Sequence, residues 1–302
     1  MARTSIPVDL FNPGQVFACL GLLELSEITV GPSRAAFDWS DAARAEFLLE
    51  CEGQANPVER GLQFLEAAEV ESLAPEDPAL ATEKWKVPTR RTSAAEGYPV
   101  PPPSSPAALP AILRAGGTSV TLSSWAEANL PDLITPRRDN VKFWAGMAGY
   151  PGVALVRDAL DAARPHLDDA AADPFSVSTP MSSGFRFDWR SDYIPIDVGF
   201  SLNSHSAIQT RGFPLVELLA AVGLSHARPK RLRKLEYRYA VVGRDSYDDG
   251  AEPRLLPAGF LRAALGAASL PFPQRTFAMH LDWPGQENQA RCITQVLEEN
   301  LS

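Results

Sequence analysis

The chain lacks the raw material for several kinds of protein. Its 302 residues include only three cysteines, Cys19, Cys51 and Cys292, widely spaced and each in an apolar or periodic context. An odd, scattered set argues against a disulfide framework or a metal site and for reduced core residues. No apolar run approaches the roughly 20 residues a membrane helix needs, and "MARTSIPVDLF" has no signal-peptide core, so the expected location is cytoplasmic and no membrane contact is expected. The four histidines, His166, His205, His226 and His280, do not pair at metal-ligand spacing. HExxH, GxSxG, Walker-type and GxGxxG motifs are all missing, so neither an active site nor a cofactor is expected. His205, among hydroxyls and an amide in "SLNSHSAIQT", is the best acid–base candidate, and an ordinary loop histidine is the commoner use. Ser182 and Ser183 before Gly184 resemble a turn more than a nucleophile. Asp168, Asp169 and Asp173 near His166 read as a solvated acidic loop rather than a cation site.

A basic excess is also missing, since the net charge is −9. Its distribution matters more than its sum. Residues 21–83 hold 14 acidic and 3 basic residues, which leaves 23 acidic and 25 basic in the rest. Within that rest, "RPKRLRKLEYRYAVVGR" (228–244) carries seven bases and one acid, and "KWKVPTRR" (84–91) places Lys84, Lys86, Arg90 and Arg91 around Trp85. A local basic patch attracts phosphate even on an acidic protein if the acidic face points elsewhere.

What is present in quantity is core. With 45% hydrophobic residues the chain suits a large globular core. "FNPGQVFACLGLLELSE" (11–27) spells out a helix: Asn12 caps, Pro13 is preset for the first position, Gln15 can reach back to the Asn12 backbone, and Phe11 with Val16 forms a staple. Val16, Phe17, Leu20 and Leu23 recur at helical spacing, which predicts one buried side. With "IPVDL" before it as a short strand, this helix N-terminus could alternatively present its N–H groups to a phosphate. Strands are expected at 35–39, 45–51 and 83–89, and a second capped helix at 56–70, led by Asn56 and Pro57. Strand, helix, strand, strand, helix, strand is the ferredoxin-like order used by many RNA-binding folds. Residues 88–110 contain seven prolines and read as a linker or extended loop. Beyond it the pattern predicts strand at 118–125, a helical pair over 140–167 broken at Gly149–Gly152, strand with a turn over 182–200, helix at 213–224, strand at 235–242, helix at 257–267 and strand at 275–283. The expected fold is α+β with ferredoxin-like, RNA-recognition-like elements: an acidic N-terminal unit (1–87), a Pro-rich segment (88–117) and an α+β unit with basic patches (118–302). "FACLGL" (17–22) is echoed by "LAAVGL" (219–224), each with a proline in the first turn of its helix; a duplicated half-domain or convergent close packing explains the echo.

Three further clusters suit nucleic acid. In "GFRFDWRSDY" a strand would place Phe185, Phe187 and Trp189 on one face for base stacking and Arg186 and Arg190 on the other, with core aromatics and solvated arginines as the plainer reading. Lys230, Arg231, Arg233 and Lys234 crowd four bases into five positions just before a strand that carries Arg238. "TPRRDNVKFW" brings Arg137, Arg138, Asn140 and Lys142, where Asn140 could read a base edge while its neighbours hold phosphates.

"IPVDLFNPGQVFACLGLLEL", "FWAGMAGYPG", "SSGFRFDWRSDYIPIDVGFS" and "FPLVELLAAVGL" resemble the compact CRISPR-associated protein of type I-U (I-G) loci, in the Cas-eight or large-subunit class. The resemblance spans nearly the whole chain. It implies a non-catalytic subunit of a Cascade-type complex in which guide RNA pairs with target DNA. Its implied tasks are to bind target DNA beside the guide RNA, to recognise a flanking motif and to help recruit a helicase-nuclease, alongside other effector subunits. The chain is small for a large subunit, and no motif-reading residue of the family maps onto it. A ferredoxin-like endoribonuclease that processes guide RNA through His205 or His226, and a purely architectural subunit, are the alternatives.

Overall fold

The computed structural model describes residues 1–41, 43–93, 98, 103, 105–126, 129–132, 135–138, 149–181, 183–191, 210–244, 253–282 and 291–300, with 129–132 and 135–138 described by backbone alone. β1 (Ala2–Val8) leads into α1 (Pro13–Thr29), followed by β2 (Ser33–Asp38), β3 (Ala45–Cys51), α2 (Pro57–Ala67) and β4 (Glu69–Pro75). Then come β5 (Thr89–Thr92), β6 (Ala111–Ala115), β7 (Thr118–Leu122), β8 (Asn129–Asp132), β9 (Thr135–Arg138) and α3 (Gly152–Ala163). β10 (Thr179–Pro180), β11 (Arg211–Gly212), α4 (Pro214–His226), β12 (Lys230–Arg233), β13 (Glu236–Arg244), β14 (Leu256–Pro257), α5 (Ala258–Leu265), β15 (Gln274–Asp282) and β16 (Cys292–Glu299) complete the order. The chain is α+β.

The main sheet runs β1-β3-β2-β13-β15-β16, with β12 beside β13 and β14 beside β2. Its only parallel pairing among the described residues, Gly243 with Phe37 and Arg244 with Asp38, joins β13 to β2 from the other half of the chain. The β1-β3-β2 order is that of the first three strands of a ferredoxin-like unit, but β4 leaves for a second sheet, β5-β4-β6-β7. The fourth strand was expected at 83–89; there the chain makes a single 3-10 turn, Glu83–Trp85, and extends only from Thr89. Residues 88–117 supply β5 and β6 of this sheet. Two of their prolines fit because they stand just before these strands, where a carbonyl suffices: Pro88 accepts from Ser72 N–H (2.8 Å) and Pro110 from Leu73 N–H (3.0 Å). The segments 1–87, 88–117 and 118–302 therefore share sheets, and one buried cluster runs from Ile6 to Ile293.

α1 is buried continuously from Pro13 to Ser26, not on one side only, because α4, α2 and α5 and the sheet surround it. Asn12 caps it as expected, accepting from Gly14 N–H. Gln15 instead accepts from Asp9 N–H (2.8 Å), since the Asn12 N–H already donates to the Asp9 carbonyl (3.0 Å). Phe11 is 40% exposed and meets Phe277 edge-on, with centroids 5.1 Å apart.

The echoed helices touch through the echo itself. A Cβ on Gly21 would lie 1.9 Å from the Leu219 carbonyl oxygen, and one on Gly223 would lie 2.2 Å from that of Phe17. Both helices start at the segment 187–188, and His226 Nδ1 at the end of α4 meets Glu24 in the C-terminal half of α1 (3.2 Å), so they run in the same direction. Glu24 is also held by Arg262 of α5 (2.6 and 2.5 Å), which ties three helices together.

Residues 183–191 form no strand. Phe185 and Phe187 are buried and stacked, 4.9 Å apart, with Phe185 5.3 Å from Trp125, while Trp189 is 51% exposed. The expected shared aromatic face is absent because the Phe187 and Asp188 N–H groups go to the carboxylate of Glu217 (2.9 and 3.2 Å) instead of a neighbouring strand. Residues 192–200 lie outside the described residues, as does His205. No helix in the described residues is long and apolar enough to cross a membrane.

Candidate nucleic-acid interface

The densest basic cluster sits on the hairpin β12–β13. Buried Pro229 ends the turn after α4, and Lys230, Arg231, Arg233 and Lys234 emerge exposed from β12 and its turn. Lys230 lies opposite Arg238 and Arg231 opposite Tyr237, and the register shifts before Arg233 reaches Glu236. Buried Tyr237 anchors the turn by donating its hydroxyl to the Lys234 carbonyl (3.3 Å). Arg238 is bound by Glu299 of β16 (2.5 and 3.0 Å), and Arg233 pairs with Glu236. The hairpin therefore presents Lys230, Arg231, Arg233 and Lys234 at a sheet margin with Arg238 as neutralised support. Cations on such a strand also discourage edge-to-edge pairing, a structural use of the same charges.

A second basic site forms around the turn at Trp85. A cleft of about 980 Å³ is lined by Lys84, Trp85 and Lys86 of the turn together with Tyr150, Arg157, Asp158 and Ser183. The Lys84 ammonium lies 3.9 Å over the indole ring. Arg157 of α3 donates to the Trp85 carbonyl and to Asp158, and its Nε is 4.0 Å from Asp161. Asp158 Oδ2 accepts from the hydroxyls of Tyr150 (2.6 Å) and Ser183 (2.7 Å). Burial, reinforced by the bond to Asp158, pushes the Tyr150 phenol up to about 12, so it stays protonated and donating at neutral pH. Sequence reading found Lys84, Lys86 and Trp85 but not Tyr150, Arg157, Asp158 or Ser183. Nothing in "GYPG" or in an amphipathic helix marks them.

The other expected contacts scatter. Arg91 donates to the carbonyls of Pro75 (3.0 Å) and Asp77 (2.6 Å), and Arg90 shares Glu71 with Arg114. Arg190 grips buried Asp188 (3.0 and 2.6 Å), donates to the Phe175 carbonyl (2.9 Å) and covers the Phe213 ring at 3.7 Å. These bonds account for Arg190 without a nucleic acid. Arg186 is half-buried in the left-handed region (φ 66°) beside the two stacked rings. Arg137 and Arg138 lie on β9, whose side chains are outside the described residues together with Asn140 and Lys142.

The N-terminus of α1 has no room for a phosphate. Asn12, Pro13 and Gly14 are buried, a Cβ on Gly14 would stand 2.5 Å from the Phe187 carbonyl oxygen, and Asn12 Nδ2 donates to Asp188 (2.9 Å). The anion beside this helix start is the chain's own Asp188. All three cysteines are free and buried. Among the described residues no group of three His, Cys, Asp or Glu is placed to hold a metal ion. No family model matches the chain, and neither a curated protein nor a solved structure matches it.

Proposed function

We propose that the chain is a non-catalytic nucleic-acid-binding subunit of a type I CRISPR interference complex, of the compact Cas-eight class of I-U (I-G) systems. In this reading it works in the cytoplasm with guide RNA, target DNA and the other effector subunits, and helps bring in the helicase-nuclease. One observation carries the nucleic-acid part: Lys230, Arg231, Arg233 and Lys234 are exposed together on one hairpin. The CRISPR part rests on the sequence resemblance. The β1-β3-β2 order supports a ferredoxin-like element in the first unit. The acidic region 21–83 would face solvent or a basic partner subunit.

The test is a salt titration of DNA binding by the assembled complex, carrying either the native chain or one with all four hairpin cations changed to Ala. Each phosphate contact contributes a slope of roughly −0.7 to −0.9 in log affinity against log salt. Arg233 already shares Glu236, which leaves three contacts, so the substitution should flatten the slope by about two to three units, equally for unrelated sequences, with sequence preference retained. An unchanged slope would remove the hairpin from the nucleic-acid surface. Cleavage of labelled precursor guide RNA by the pure chain would favour the endoribonuclease instead.

A further inference from the structure

We infer that the cleft beside Trp85 takes one unpaired nucleotide of a single strand, its base against the indole and the phosphates on either side of it at Lys84 and Lys86. The inference rests on the nucleic-acid reading above and adds a site with a strand preference.

The turn is built to hold its side chains still. Lys86 closes it in the left-handed region (φ 59°, ψ 32°), a backbone that a side-chain-bearing residue rarely adopts unless its surroundings fix it. Here they do. Thr82, just before the turn, is buried, and its hydroxyl contacts the Val87 carbonyl (3.0 Å), Ser72 (2.7 Å) and Thr89 (3.0 Å). Val87 is buried just after it, and Arg157 holds the Trp85 carbonyl from α3. Lys84, Trp85 and Lys86 therefore project from a scaffold fixed on both flanks.

The charges then define the ligand. Arg157 is balanced by Asp158 and Asp161 by Arg164 (3.1 Å), while Asp158 also accepts from two hydroxyls. Neither Lys84 nor Lys86 meets a carboxylate among the described residues. With those two pairs balanced, the uncompensated charge of the cleft is the two ammonium groups beside the indole, in a lining that also carries the Tyr150 and Ser183 hydroxyls. A phosphate with a planar ring satisfies both features. About 980 Å³ is at the upper end for a small-ligand site and leaves room for a nucleotide with its flanking phosphates. A base inside a duplex has neighbours on both faces and cannot lie on an indole, so the base must be unpaired.

The Lys84 ammonium lies over one face of the Trp85 ring. That exposed cation–π contact corresponds to a factor of about two to five, whereas base stacking on an aromatic ring is worth about five- to a hundredfold. The exchange favours the base, and the long lysine stem lets the ammonium follow the phosphate.

The test uses the purified full chain with fluorescent twelve-nucleotide dT and rU strands and a twelve-base-pair duplex. Trp85→Leu should weaken single-strand binding about five- to a hundredfold and leave the duplex within twofold, while Trp85→Phe keeps most of the affinity. Lys84→Ala with Lys86→Ala should reduce the single-strand salt slope by about 1.4. Should Trp85→Leu fail to fold, that slope decides the matter. Equal affinity of Trp85→Leu and native chain for the single strand, equal loss on strand and duplex, or an unchanged slope each overturns the inference. Free UMP that displaces the strand at equal nucleotide concentration would assign the cleft to a mononucleotide and overturn it as well. If the cleft variants bind normally while the hairpin variant loses its slope, only this site falls. If the native chain binds neither strand nor duplex, both readings fall.

Discussion

Glu217 should make this protein less stable as pH rises through neutrality. It lies in the first turn of α4, buried, with Oε1 accepting two backbone N–H bonds and Oε2 without a hydrogen-bond partner. Burial pushes its pKa up to about 8, and the neighbouring Asp188 adds to the rise against the pull of the N–H groups. The sign follows from linkage. Below about pH 4.5 the carboxyl is protonated in both folded and unfolded chains and costs nothing. Between about 4.5 and 8 only the unfolded chain ionises it, so each pH unit removes about 1.4 kcal/mol of stability. Across that window the loss is on the order of 3–5 kcal/mol, a large share of a typical 5–15 kcal/mol total. Glu217→Gln keeps the acceptor for Phe187 and Asp188 and cannot ionise. Urea denaturation of both proteins from pH 4.5 to 9 should show them within about 1 kcal/mol at the acid end, with the Gln variant more stable by on the order of 3 kcal/mol at pH 8. The titration of carboxylates remote from Glu217 cancels in the difference. Parallel pH profiles for the two proteins would refute a neutral buried Glu217.

Asn12→Ala removes a cap and a donor to buried Asp188 at once, so the loss should reach about 2–4 kcal/mol rather than the 0.5–2 of a cap alone. Asn12→Asp keeps the cap but sets two carboxylates together, and its deficit should shrink as pH falls from 7 to 4; a loss under about 1 kcal/mol for the Ala variant in chemical denaturation would contradict the shared role. Gly21→Ala places a methyl 1.9 Å from the Leu219 carbonyl and should cost more than about 3 kcal/mol or prevent folding. Gly61→Ala, whose methyl would meet only Leu25 at 3.6 Å, should stabilise by about 0.5–1 kcal/mol; thermal melts that rank the two variants the other way would disprove the packing argument.

The features legible in the sequence are those whose cause is local. Asn12–Pro13 and Asn56–Pro57 announce two helix starts, and both asparagines accept the backbone bonds a cap requires. The α4, β13, α5 and β15 regions were likewise readable from periodicity. What failed depends on partners far away in sequence. β4, "EVESLAP", carries too little alternation to announce itself and exists because β5 and β6 pair with it. "GFRFDW" does alternate, yet its amides are taken by Glu217 from 30 residues on. At the cleft the same division holds. Lys84, Trp85 and Lys86 adjoin in sequence and could be noticed, whereas Tyr150, Arg157 and Asp158 acquire their meaning only when α3 packs behind the turn.

The echo between α1 and α4 separates two explanations that the sequence left open. Its reciprocity is complete at the helices: Gly21 meets the carbonyl of Leu219, Gly223 meets that of Phe17, and each glycine stands four residues after the carbonyl its counterpart touches. A duplicated helix and hairpin would extend that symmetry into the sheet, where β2–β3 follows α1 and β12–β13 follows α4. It does not extend. β2 lies beside β13, whereas the equivalent contact between β3 and β12 is absent from the strand order. The demand of a close crossing on both helices is therefore sufficient to explain the shared motif, since any side chain at either glycine would push the backbones apart. The crossing also holds α4, whose last residue, His226, is four residues before Lys230, so the basic hairpin begins from the helix that α1 packs against most extensively among the described residues.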